Sequence, residues 1–160
     1  MNEMARFSAL DAYEFARLGQ ETFAAIEKLP CLTIAMIDGD CFGGALDLVL
    51  AFDLRFATER SRFSHPGAKL GIVTGFGGTS RWRRVMSGSA ARRLFLSNPI
   101  LSAAEAHTLG LIDFIGEPAL PPLDAATVQF VKELTNHASR LSQRELTLLA
   151  ECLGRLYFER

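Results

Sequence analysis

At 160 residues, 49% hydrophobic and 22% charged, the chain has the length and make-up of one globular domain, neither disordered nor fibrous. Its formal charge of -1 supplies no field that would draw it to nucleic acid or to an anionic lipid surface. Three cysteines, Cys31, Cys41 and Cys152, are too few and too scattered for a disulfide framework or a zinc site, and are expected as core or near-core thiols.

In chain order, Ser8 with Asp11 opens a helix whose apolar face is Phe15, Leu18, Thr22, Ile26 and Leu29, closed by Pro30. Cys31 to Ile37 is almost continuously apolar and reads as a strand covered on both faces, with Asp38-Gly39 as the turn after it. A helix from Gly44 to Phe52 and a strand at Leu54 to Ala57 follow. Ser61 to Ser64 is another short strand, broken by His65-Pro66-Gly67. The glycine-rich stretch Gly71 to Gly78 leads into a helix from about Thr79 that carries Arg81, Arg83 and Arg84. Ala90 to Leu96 is helical up to Asn98-Pro99, and Ser102 with Glu105 is a capping box for a short helix ended by Gly110. Leu111 to Ile115 is a strand, and Pro118 to Pro122 a linker. Two helices come last, Asp124 to Asn136 and one opened by a second capping box at Ser142 and Glu145. The class is α/β.

Glu3 stands where a secretory signal carries basic residues, and no apolar run approaches the roughly 20 residues needed to cross a bilayer. A cytoplasmic chain with no membrane segment and no nucleic-acid partner is expected. No residue cluster suggests a metal or a redox cofactor.

The most informative stretch is Asp38-Gly39-Asp40-Cys41-Phe42-Gly43-Gly44-Ala45-Leu46-Asp47. Adjacent glycines let the backbone bend and leave bare N–H groups at a helix start, where the helix dipole favours negative charge. An enolate or tetrahedral oxyanion would fit there. An ordinary strand-to-helix turn has the same appearance.

The order of motifs resembles the crotonase superfamily, the enoyl-CoA hydratase/isomerase family, over Leu29 to Glu117. The resemblance rests on Leu29-Pro30-Cys31-Leu32-Thr33-Ile34-Ala35-Met36-Ile37-Asp38-Gly39, Phe42-Gly43-Gly44, and Ala51-Phe52-Asp53-Leu54-Arg55-Phe56-Ala57. Lys69-Leu70-Gly71-Ile72-Val73, Gly75-Phe76-Gly77-Gly78-Thr79, Ile100 to Ala106 and Leu109-Gly110-Leu111-Ile112 continue it. It implies a spiral of ββα units, present in part in a core of residues 1–117, with C-terminal helices in 118–160. It also implies an acyl-CoA thioester ligand, with coenzyme A as part of the substrate rather than a cofactor, and a homo-oligomer, a trimer or paired trimers. Two backbone N–H groups hold the thioester oxygen in that family. One matches Gly44, beside Gly43, and the other lies in a segment expected to precede this chain. The C-terminal end of the family pattern is likewise expected to be missing.

Family hydratases add water with two glutamates, whose positions match Asp47 and Gly67. Asp47 can still serve as acid or base, or it can cap its helix turn; Gly67 cannot move a proton. Addition of water needs both a base and an acid, so ordinary hydration is not expected. Gly67-Ala68-Lys69 also resembles the crotonase-type naphthoate synthases, in which that place is left open for bicarbonate. The glutamate that family isomerases carry near Thr74-Gly75 is absent. His65, beside the gap, can supply a base, since a free imidazole titrates near pH ~6.5, or it can be structural. His107 and His137 are expected as surface or core residues. Arg81, Arg83, Arg84, Arg92 and Arg93 can meet CoA phosphates, but a solvated helix face is the expected role. Two functions follow: an enzyme of the enoyl-CoA hydratase/isomerase type, or a noncatalytic acyl-CoA-binding or assembly module, which includes an incomplete fragment.

Overall fold

The computed structural model describes residues 4–137 together with 142, 144, 145 and 148; Cys152 and the body of the last expected helix lie outside them. Chain contacts divide it into two compact units, Met1–Pro121 and Pro122–Arg160.

The first unit begins with a 3-10 turn at Met4–Arg6 and helix α1, Ala9–Glu27. Ser8 and Asp11 form the expected capping box, each satisfying the other's free backbone N–H. The apolar face of α1 is not sunk in a core, for none of its residues is buried. It instead grips a loop described below.

Strands β1 (Ile34–Ile37), β3 (Leu54–Ala57) and β6 (Phe114–Ile115) form one parallel sheet in the order β1-β3-β6. Strands β2 (Asp40–Phe42), β4 (Arg62–Ser64) and β5 (Leu101–Ser102) form the other, with β2 and β4 parallel and β5 antiparallel to β4. The register of β1 on β3 is set just before both strands: Asp53 Oδ2 accepts from the Thr33 N–H at 2.7 Å and from its hydroxyl at 2.6 Å. The β1–β2 turn needs the positive φ of Gly39, at 111°.

β1 is shorter than the apolar run predicts and is covered on one face only. Ala35 and Ile37 are buried, whereas Met36 is 61% exposed. An apolar run bounds a strand poorly: the β1–β3 register begins at Ile34, and Cys31 and Leu32 precede it. The run Leu111 to Ile115 shortens for the same reason. Leu111 and Ile112 are buried as irregular chain and only Phe114 and Ile115 pair with β3.

Helix α2, Gly44–Val49, follows β2 directly; α3 is Gly78–Val85, α4 Gly88–Ser97 and α5 Ala103–Thr108. The Ser102–Glu105 capping box is present, and Gly110 takes φ 78° just past α5. Leu46, Phe63, Trp82, Leu111 and Ile112 are at the centre of the core. Alternation in β3 predicts Leu54 and Phe56 inward, yet Arg55 is buried too. Its guanidinium donates to the carbonyls of Leu111 and Phe52 and pairs with Asp113 at 2.8 Å.

In the second unit, Asp124 opens helix α6, Ala125–His137, by accepting from the Thr127 N–H and hydroxyl. Ser142 and Glu145 make the reciprocal bonds of the expected second capping box, at 2.8 and 3.4 Å.

Candidate functional site

The glycine pair lies at the junction of β2 and α2. Gly43 has φ 58° and ψ -120°, a backbone shape that side chains resist, and its N–H donates to the Ser64 carbonyl at 2.9 Å. The next N–H, of Gly44, opens α2 and makes no hydrogen bond to any described residue. A Cβ at Gly44 would lie 3.4 Å from the Phe76 ring, so that ring covers one side of the free donor.

Three residues on, one turn along the same helix face, is Asp47, only 1% exposed. Its carboxylate does not cap its own helix turn. Oδ2 accepts from the Thr74 hydroxyl and lies 3.3 Å from His65 Nε2, while Oδ1 accepts from the Trp82 indole N–H at 3.4 Å. The start of α3 closes the remaining side: a Cβ at Gly78 would lie 1.9 Å from Oδ1, so only glycine lets the carboxylate sit there. A buried carboxylate requires such donors, since unpaired burial of a charge is costly.

His65 is buried, edge-on to Phe95 at 5.0 Å, and its Nδ1 is the one buried side-chain polar atom among the described residues without a partner. In the neutral ring, Nε2–H donates to the Asp47 carboxylate and Nδ1 carries a lone pair. That nitrogen would lie 3.2 Å from a Gly67 Cβ, which would also meet the Ile72 carbonyl at 2.6 Å. Gly67, which the sequence resemblance matched to a family glutamate, therefore has backbone where a side chain would start.

Cys41, on β2 and buried, is nearby. Burial, and secondarily the charge of Asp47, pushes its thiol up to about 12. Cys31 is exposed rather than in the core, because it precedes β1.

The loop before α3 is held from behind by α1. Gln20 Nε2 donates to the Gly75 carbonyl at 2.6 Å, and Phe76 makes edge contacts with Phe15 and Phe23 at 5.2 and 5.5 Å. Arg81 is buried, not on a solvated face: it donates to the Phe76 carbonyl at 2.7 Å and pairs with Glu27, which also takes Arg84. Arg83, Arg92, Arg93 and His107 are exposed.

Sequence reasoning brought Gly43, Gly44, Asp47, His65 and Gly67 forward, and all five lie in this one region. It missed Thr74, Trp82 and Gly78. Trp82, the chain's only tryptophan, one turn after Gly78, was the available signal; position 74 was marked only as near the missing isomerase glutamate, with no role for the threonine itself. Among the described residues no group of histidine, cysteine, aspartate or glutamate is arranged to hold a metal, and no helix is long and apolar enough to cross a membrane.

A family model for enoyl-CoA hydratase/isomerase matches residues 1–149. The chain belongs to the enoyl-CoA hydratase/isomerase family. Within it, the chain is similar to a crotonyl-CoA hydratase of Syntrophomonas wolfei, 36% identical over 115 residues that make up 72% of this chain and 44% of that protein. Its fold matches the crystal structure of enoyl-CoA hydratase from Thermoplasma volcanium at TM-score 0.90 and 25% identity, covering 99% of this chain and 67% of that one. A putative enoyl-CoA hydratase from Thermobifida fusca, solved in complex with acetoacetyl-CoA, matches at TM-score 0.75 and 24% identity, over 86% of this chain and 60% of that one. The chain thus spans less than half the length of the curated hydratase it matches, and its site occupies the crotonase fold.

Proposed function

We propose that this family member acts on an acyl-CoA thioester by removing or adding a proton beside the thioester carbonyl. In this reading the Gly44 N–H holds the carbonyl oxygen as charge develops on it, Asp47 is the acid or base, and His65 fixes and supports that carboxylate. One observation carries the reading: a buried, three-donor carboxylate one turn inside a helix whose first N–H is unpaired. Such an N–H, aimed where negative charge forms, supplies the electrostatic part of enolate chemistry, and the carboxylate supplies proton transfer. The relative named for crotonyl-CoA and the neighbour solved with acetoacetyl-CoA support a thioester ligand.

Addition of water is disfavoured by the closed Gly67 position, which leaves isomerisation or another enolate step as the chemistry. The same closure favours a second reading, a noncatalytic acyl-CoA-binding module. All of these residues fall in the proposed core, 1–117, inside the compact unit Met1–Pro121. A homo-oligomer, trimeric or of paired trimers, belongs to the proposal, supported by exposed Leu10, Tyr13, Leu18, Leu96 and Met36. So does a cytoplasmic location.

The test gives the purified chain crotonyl-CoA and a panel of other acyl-CoAs, with calorimetry for binding beside assays of turnover. Turnover lost in Asp47→Ala supports the enzyme. Tight binding without turnover selects the binding module, and neither binding nor turnover removes both.

A further inference from the structure

Asp47 is fully enclosed, yet a proton must reach it. Of the four residues in its cluster, Asp47, His65 and Trp82 are buried and Thr74 alone is partly exposed. The Thr74 hydroxyl donates to Asp47 Oδ2, and no described residue donates to its oxygen, so the oxygen's lone pairs are free on the outer side of the cluster. The chain just before it, Ile72 at 43% and Val73 at 76% exposed, presents apolar surface, while Gly75 and Phe76 just after it are fixed to α1. Thr74 is therefore a hydroxyl of fixed position between a buried carboxylate and the outside. At 1% exposure, Asp47 itself offers almost no surface for a ligand to touch directly.

We propose that Thr74 is a catalytic residue, the relay through which Asp47 exchanges protons with a bound thioester. The proposal rests on the acyl-CoA reading above. In the forward step Asp47 is a carboxylate; the Thr74 oxygen takes the proton from the thioester's α-carbon as its own hydroxyl proton passes to Asp47 Oδ2. The C–H electron pair moves into the enolate, whose oxygen carries the charge against the Gly44 N–H. Thr74 ends as a hydroxyl and Asp47 as a carboxylic acid; the reverse step returns the proton to carbon. Cys41, whose burial keeps it a protonated thiol, leaves the charge balance of this step unchanged.

The test follows α-proton exchange of butyryl-CoA in D2O by NMR, on the whole chain, with binding by calorimetry and folding by circular dichroism. Thr74→Val is expected to slow exchange about a hundred-fold or more while butyryl-CoA binding changes little, and Thr74→Ser to keep the rate within roughly tenfold of the parent. The parent's rate of α-proton abstraction in H2O/D2O mixtures is expected to fall linearly with deuterium fraction, as for the one exchangeable proton of the Thr74 hydroxyl, and to lose that dependence in Thr74→Val. Exchange in Thr74→Val as fast as in the parent overturns the relay, as does an equal loss in the serine and valine variants. If valine unfolds the protein, the comparison of Thr74→Ala with Thr74→Ser decides in the same way. Asp47→Asn abolishing exchange while Thr74→Val leaves it intact removes the relay and keeps the thioester reading. A parent that neither binds nor exchanges removes both.

Discussion

Asp47 receives donors from three separate segments, and the space it occupies exists because Gly78 has no side chain. Gly78→Ala would drive a methyl group into Oδ1 and expel the carboxylate from its pocket. Overpacking of this kind costs about 1–3 kcal/mol, so a lower melting temperature is expected and, under the proposed function, loss of acyl-CoA turnover with it. The neighbouring thiol gives a pH-dependent prediction. In the unfolded chain Cys41 loses its proton near pH ~8.5, whereas in the fold it holds it up to about 12. Between those values the unfolded state binds fewer protons, so stability is complete below the first value and falls as pH rises toward the second. Urea unfolding at a series of alkaline pH values, parent against Cys41→Ala, measures this; the alanine variant should lose the part of the slope that Cys41 supplies. Under native conditions a thiol reagent should modify Cys31 and spare Cys41.

At the scale of elements, the local signals were the legible ones. The capping boxes at Ser8, Ser102 and Ser142, the turn at Gly39 and the glycine pair opening α2 depend on residues three or four apart, which a sequence displays directly. The partners of Asp47 at positions 65, 74 and 82 are 18 to 35 residues away, and no spacing rule reaches them. Arg81 was misread for the same reason: its partner Glu27 is 54 residues earlier, on α1. Gly67 shows how far the legible part extends. The missing carboxylate could be read, but the Ile72 carbonyl filling the site could not. Gly67→Glu is therefore expected not to create a hydratase. It should lower the melting temperature and leave crotonyl-CoA hydration at background in a spectrophotometric assay.

At the scale of the molecule, the β1-β3-β6 sheet is tied to the chain on either side of β3 by buried polar bonds as well as by packing. Arg55 joins β3 to the carbonyls of Phe52 and Leu111 and to Asp113, whose carboxylate also accepts from the Arg55 N–H at 2.7 Å. Asp113→Ala takes the paired carboxylate from a buried guanidinium and leaves only the more weakly acting Asp53 nearby. Breaking a buried pair costs about 3–5 kcal/mol, and the partial exposure of Asp113 reduces that to roughly 2–3 kcal/mol. A shift of that size in the urea midpoint checks it. Leu46→Ala, at the centre of the same core, should cost about 2–5 kcal/mol by the same measurement. The α/β class and motif order were readable because the family pattern is carried by glycines, prolines and apolar runs. The one-sided burial of β1 was not, since an apolar run says nothing of what lies on either face.

Gly19 interrupts α1 where alanine would make a better helix by about 1 kcal/mol. A methyl group there would stand 2.2 Å from the Phe76 ring, the ring that also shelters the Gly44 donor. A stability screen scoring α1 by helix propensity alone would choose Gly19→Ala first. In this protein that choice would push Phe76 out of its seat and disturb the free Gly44 N–H 25 residues further along the chain, so the helix's weakest residue is the one its engineer should leave alone.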